Sequence, residues 1–214
     1  VHAEIAEPLV DALVKRTAEL QLGDPLDPAT DVGPVIDAHS ATRIHAMVNE
    51  ARAEGAQVVT GGQVIEIDAC AGGAFYAPTI LRGVDRTHRI AREEVFGPVL
   101  SVIEINSLDE AIDVVNESEY GLSAAVYTRD IAAALVAVDR IDTGIVYVNA
   151  PTIGAEIQLP FGGTKHTGNG FREAGRRGIE QFSEVKSVYV DYSGRLQRAQ
   201  IDNRPPVEVG EAGG

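Results

Sequence analysis

The apolar positions of this chain alternate between helical and strand-like periods. Over residues 4–20, Ile5, Leu9 and Leu13 recur at i, i+4 and i+8, with Leu20 two turns on. Charged residues fill much of the other face, so the segment reads as an amphipathic helix. Gly23-Asp24-Pro25 ends it, and three prolines with several aspartates make residues 23–37 a loop. A second helix is predicted over 37–55, with Ile44, Met47, Val48 and Ala51 on one side and Gly55 as its stop. Gln57-Val58-Val59 reads as a short strand, residues 78–81 as another, and residues 99–105 as the clearest buried strand. Ser107-Leu108-Asp109-Glu110 is a capping box that opens a helix with Leu108, Ile112 and Val115 on one face. A strand follows over 124–128. Asp130 then starts a helix with Ile131, Leu135 and Val138, and residues 144–148 form the next strand.

Strands and helices that alternate with short joints predict an α/β layered sheet with parallel neighbours and right-handed crossovers. Residues 151–171 hold five glycines and no clear period, which predicts a long loop. Loops of that length inside a domain are usually functional. A short helix is predicted over 172–182, a strand over 185–191, and a mobile tail over 203–214 around Pro205-Pro206 and the Gly-Glu-Ala-Gly-Gly end. There is no internal repeat.

A length of 214 residues allows one or two domains with a sizeable core, and 44% hydrophobic content is that of an ordinary globular protein. No apolar run approaches the roughly 20 residues of a membrane span. A net charge of -14 argues against nucleic acid and anionic membranes as partners. One cysteine excludes an internal disulfide and suits a reducing, cytoplasmic setting. The chain opens at Val1, inside a helical pattern and without Met, which reads as a piece of a longer product.

The stretch Glu93-Glu94-Val95-Phe96-Gly97-Pro98-Val99 puts a carboxylate, an aromatic ring and a Gly-Pro turn just before the predicted strand over 99–105. Two readings are open from the residues alone. The carboxylate can accept hydrogen bonds from a sugar diol while the ring stacks on a flat heterocycle. Equally, this is a Gly-Pro turn with Phe96 in the core and Glu94 in solvent.

Six motifs in order carry a resemblance. They are Gly23-Asp24-Pro25 with Thr30-Asp31-Val32-Gly33-Pro34; Phe75-Tyr76-Ala77-Pro78-Thr79-Ile80-Leu81; Glu93-Glu94-Val95-Phe96-Gly97-Pro98; Tyr120-Gly121-Leu122 with Val126-Tyr127-Thr128; Gly144 with Val148-Asn149; and Pro160-Phe161-Gly162-Gly163-Thr164-Lys165. Together they resemble the C-terminal portion of the aldehyde dehydrogenase superfamily over residues 1–191. The resemblance implies a partial three-layer αβα catalytic domain of that type. It assigns 1–184 to the catalytic domain, 185–202 to an oligomerisation strand and extension, and 203–214 to a flexible tail.

It further implies an NAD- or NADP-dependent oxidation of an aldehyde or semialdehyde to the carboxylate through a cysteine thioester. Glu94 would take the nicotinamide ribose hydroxyls and Phe96 would pack on the nicotinamide end. Phe161, Gly154 and Ala155 would line the substrate side, while Asn149 would hold loop backbone. In the family the reactive cysteine and its base lie upstream of the matched portion, so this chain alone is expected to be inactive. The family's C-terminal strand implies a homo-oligomer, dimer or tetramer, paired through Val185 to Asp191. Gly154-Ala155-Glu156 with Lys165-His166-Thr167-Gly168 is similar to the α-aminoadipic semialdehyde branch. The chain departs from that branch at Gln158-Leu159-Pro160 and Asn169-Gly170-Phe171. The alternative reading is a non-catalytic assembly module.

Other candidates carry less. Ser40 and Arg43 lie on the second predicted helix, where the resembled family places side chains near the cofactor's ribose, but nothing local supports such a role and they read as part of its solvated face. Glu93 reads as solvated or paired with a neighbouring arginine such as Arg92. Cys70 has no cation near it in sequence and reads as a loop thiol. The five histidines share no metal-ligand spacing.

Overall fold

The computed structural model describes residues 1–192 and 194. Val1–Gln181 is one compact unit, and the described residues from Phe182 onward are not part of it. Within the first, helices α1 (Ala3–Ala18) and α2 (Ala38–Ala53) precede strand β1 (Gln57–Thr60). A hairpin of β2 (Val64–Ile65) and β3 (Phe75–Tyr76) then leads to β4 (Thr79–Arg82). The short helix α3 (Arg89–Arg92) is followed by β5 (Val99–Ser101), α4 (Leu108–Asn116), β6 (Tyr120–Gly121) and β7 (Ser123–Val126). Helix α5 (Ile131–Arg140), β8 (Ile145–Val148), β9 (Thr164–Lys165) and α6 (Gly175–Gln181) complete the unit.

The fold is α/β. Strand β5 runs parallel to β4, and β8 parallel to β7. The expectation of parallel neighbours fails at β1, which joins β4 antiparallel, and at the antiparallel pair β6–β9. The strand predicted over 99–105 is a ladder of only three residues. Leu100 in its middle is exposed, and Ile105 instead bridges to His2 beside α1. The strand predicted over 185–191 is not observed, since residues 182–192 hold no helix or strand. A strand is defined by its ladder, and the described chain offers that segment no partner strand. The tail predicted over 203–214 lies outside the described residues.

Helix α2 is the platform of the main core. Asp37 caps it by accepting from the Ser40 amide at 2.6 Å, which holds the Asp37 carboxyl below its ordinary pKa. Gly55, at φ +110°, closes its other end, with the Ala56 amide donating to the Ala51 carbonyl at 2.9 Å and the Gly55 amide to Arg52 at 3.2 Å. The expected stripe holds, because Ile44, Met47, Val48 and Ala51 are all buried, together with Tyr76, Leu81, Ile90 and Val95. Burial pushes the Tyr76 phenol up to about 12, against a smaller lowering by the Arg52 charge, and its hydroxyl lies 3.3 Å from His45 Nδ1.

Two other stripes are rotated from expectation. On α1 the buried residues are Ala6 and Val10, with Leu13 and Val14 partly packed, while Ile5 and Leu9 are exposed. On α5 the buried residues are Ala134 and Ala137, while Ile131, Leu135 and Val138 are exposed. Small side chains let a helix backbone come close to what it covers. The bulky residues on the next face then need a partner that the described chain does not supply.

Candidate functional site

The turn between α3 and β5 is held from below at every second residue. Arg89 donates to the Glu93 carboxylate at 2.8 Å and to Glu50 of α2 at 3.2 Å. Those two carboxylates, Glu93 the more strongly, raise the guanidinium's pKa. Arg43 of α2 donates to the Val95 carbonyl at 2.6 Å, and the Val95 side chain is buried. Gly97 sits on Ile44, where a Cβ would overlap Ile44 Cδ1 and lie 3.0 Å from Cγ1. Residues 93, 95 and 97 are therefore occupied.

The intervening residues are free. Among the described residues Glu94 has no hydrogen-bond or ion-pair partner, and it is exposed. Phe96 adopts φ +53°, a left-handed conformation uncommon for an aromatic residue, and 75% of its surface is exposed. Both line one cleft of about 540 Å³, with Ile90, Glu93, Val95, Gly97, Val99 and Ser101. An unpaired carboxylate beside an open ring in a cleft of that size can take a polyol attached to a flat heterocycle. Of the two readings left open by the residues, Phe96 in the core is excluded.

Arg43 is half-buried and bonded to the turn, not part of a solvated face. Its partner lies 52 residues away, beyond the reach of any local pattern. Glu93 pairs with Arg89, one helical turn back, and not with Arg92.

The second group of expected site residues lies elsewhere, and none of them lines the 540 Å³ cleft. Phe161 is half-buried, and its backbone pairs with Glu173, with amide–carbonyl distances of 2.6 and 2.9 Å. Gly154, at φ +87°, and Ala155 are exposed, and the Gly154 carbonyl accepts from the Tyr147 hydroxyl at 2.6 Å. Asn149 holds backbone, as expected. Its side-chain oxygen accepts from the Thr128 amide at 2.9 Å, and its nitrogen donates to the Thr128 carbonyl at 3.0 Å.

Close backbone approach explains the glycines around this loop. A Cβ at Gly144 would overlap the Gly162 carbonyl oxygen, and one at Gly163 would come within 2.5 Å of Thr167 Cγ2. Lys165 fixes the loop's far end. Its ammonium donates to the carbonyls of Asn116 at 2.8 Å and Ser118 at 3.0 Å, satisfying orphan groups at and just past the end of α4.

Cys70 ends a single 3₁₀ turn (Asp68–Cys70) as a free, half-buried thiol. Among the described residues no group of three or more His, Cys, Asp or Glu could hold a metal ion, and no helix is long and apolar enough to cross a membrane.

The aldehyde dehydrogenase family model matches residues 1–188. The chain is 39% identical over 191 residues to the betaine aldehyde dehydrogenase of Brucella melitensis, covering 89% of this chain and 39% of that protein. It thus spans about two fifths of the length of the curated relatives it matches. It is similar to the NAD-dependent aldehyde dehydrogenase of Sinorhizobium meliloti, with TM-score 0.85 and 36% identity over 92% of this chain and 38% of that one. A betaine aldehyde dehydrogenase from Staphylococcus aureus, crystallised with NAD+, gives TM-score 0.80 and 36% identity over 85% and 36% of the two chains.

Proposed function

The chain belongs to the aldehyde dehydrogenase family, and from that premise we propose that it is the cofactor- and substrate-facing portion of an NAD(P)-dependent enzyme that oxidises an aldehyde or semialdehyde to the carboxylate. The observation that carries the reading is the Glu94 carboxylate, without a partner among the described residues, beside the open Phe96 ring in one cleft. These residues fit the nicotinamide riboside end of the cofactor. The carboxylate can accept from both ribose hydroxyls, and the ring can cover the nicotinamide. When bound, the cofactor supplies a hydride acceptor. The contribution of this chain is to fix the acceptor's orientation and to keep water from one side of it. Phe161, Gly154 and Ala155 form the substrate-side wall.

The reading assigns the reactive thiol of the thioester route to another part of the polypeptide. Cys70 is the only cysteine of the chain, and it ends a short loop turn as a half-buried thiol to which, among the described residues, no cation is hydrogen-bonded. The apolar residues on α1 and α5 that the described chain leaves uncovered support a larger fold around this one. The domain division at 184 and 202, a homo-oligomer paired through residues 185–191 and a cytoplasmic location complete the proposal.

Saturation-transfer NMR with NAD+ and NADP+ tests it. Transfer to the nicotinamide ribose protons is expected, with loss in Glu94→Ala and Phe96→Ala. Unchanged transfer in both variants would overturn the assignment of the cleft. Aldehyde-dependent NADH formation by this chain alone would overturn the assignment of the thiol.

A further inference from the structure

The alternation in the turn has a single most vulnerable point. Glu93 is held through an exposed ion pair, which is worth little, and Gly97 by contact alone. Val95 is held by a charge-assisted hydrogen bond of 2.6 Å from a half-buried guanidinium, between Glu94 and Phe96. The Val95 carbonyl lies in the peptide plane that joins Val95 to Phe96, and the Val95 side chain is buried, so the two together restrict how the backbone turns between Glu94 and Phe96. Phe96 follows that plane directly at φ +53°, a backbone conformation uncommon for an aromatic residue. Arg43 is itself fixed by a second contact, from Nη1 to the Met47 sulfur at 3.5 Å one turn along α2.

We propose that Arg43 is the positioning residue of this site: it acts on the ligand only through the Val95 carbonyl, and it presets Glu94 and Phe96 before the ligand arrives. This rests on the cofactor reading for the identity of the ligand, but not for the clamp. A preset turn spares the ligand the ordering cost, so loss of the clamp should weaken binding without removing any group that touches the ligand.

The test uses the full chain as wild type, Arg43→Met and Arg43→Lys, with nicotinamide mononucleotide as the probe of the ribose end. Backbone ¹⁵N order parameters at Glu94, Val95 and Phe96 are expected to fall in Arg43→Met from a rigid value near about 0.85 to below about 0.6. Those of α2 and β4 should stay unchanged. The mononucleotide Kd should rise about tenfold, and Arg43→Lys, which keeps one charged donor, should recover most of both effects. Unchanged order parameters at 94–96, or a loss spread evenly over α2 and β4, would overturn the proposal. If the wild-type chain binds no mononucleotide yet Arg43→Met still loosens only the turn, the clamp stands and the cofactor reading fails.

Discussion

Gly144 and Gly33 carry the same substitution to opposite outcomes. Neither has a positive φ, so replacing each by alanine tests space and not backbone conformation. At Gly144 the new methyl would overlap the Gly162 carbonyl oxygen, lie 2.8 Å from its carbon and lie 3.0 Å from Gly163 Cα. All three are backbone atoms, so no side-chain rotation relieves the clash and the Gly162-Gly163 segment must move. That segment is tied down by the Phe161–Glu173 pair and by Thr164 Oγ1, which donates to the Asp142 carbonyl at 3.1 Å. Overpacking costs about 1–3 kcal/mol, and each displaced hydrogen bond adds about 1 kcal/mol, so a total near 4 kcal/mol is expected for Gly144→Ala. With a urea m-value of about 2 kcal/mol/M, the unfolding midpoint should fall by about 2 M.

At Gly33 the methyl meets Pro25 Cβ at 3.5 Å and Cγ at 3.8 Å, ordinary contacts. Gly33→Ala should therefore leave the midpoint unchanged or raise it by about 0.3 M, by restricting the unfolded chain. Urea titration followed by circular dichroism decides the matter. A Gly144→Ala midpoint within about 0.3 M of wild type, or equal losses at both positions, would refute the close-approach argument.

Lys165→Met keeps the stem but removes the donor to the Asn116 and Ser118 carbonyls, and should cost about 2 kcal/mol in the same titration. A loss below about 0.5 kcal/mol would mean that water replaces the ammonium there. The Tyr76 phenol is held higher in the fold than in the unfolded chain, so its contribution is complete below about pH 10 and is lost as pH rises toward 12. Unfolding followed between pH 9 and pH 12 should show a fall of about 2 kcal/mol that flattens in Tyr76→Phe. An equally steep fall in that variant would assign the transition to another group.

Much of the fold is legible where one helix face meets one core. The stripe of α2 is an example, because its large apolar residues are also its buried ones. The same reading misplaces α1 and α5, where Ile5, Leu9, Ile131 and Leu135 dominate any apolar pattern while Ala6, Ala134 and Ala137 are what the fold buries. Burial there is decided by how closely a neighbour approaches, which a period cannot encode. The hairpin β2–β3 and the pair β6–β9 have two residues per strand, too few for a period of two to register. At the site, Glu94 and Phe96 were legible as residue types in a motif. The alternation that frees them was not, because two of its fixed points, Arg43 and Ile44, come from α2, more than 50 residues earlier in the chain. Arg43 looked like a helix surface charge for the same reason.

The pair β6–β9 also sets a clock. Its ladder joins Gly121 to Thr164 across 43 residues, and neither hydrophobic cluster extends to it. Closing a loop of that length costs on the order of 3 kcal/mol in chain entropy, against a ladder two residues long, the reach of Lys165 and the exposed or half-buried hydrogen bonds of Thr164 and Thr167. Such a pair forms late in folding and is among the first to open afterwards. The turn of Glu94 and Phe96 is tied to the main cluster through buried Val95 and to α2 through the Arg43 bond, and with both in place it opens only with that cluster. Amide exchange at His166, whose amide donates to the Glu119 carbonyl at 3.0 Å, should therefore run well ahead of exchange at Met47 and Leu81, and the loop of Phe161 and Gly154 would rearrange many times within one lifetime of the cleft.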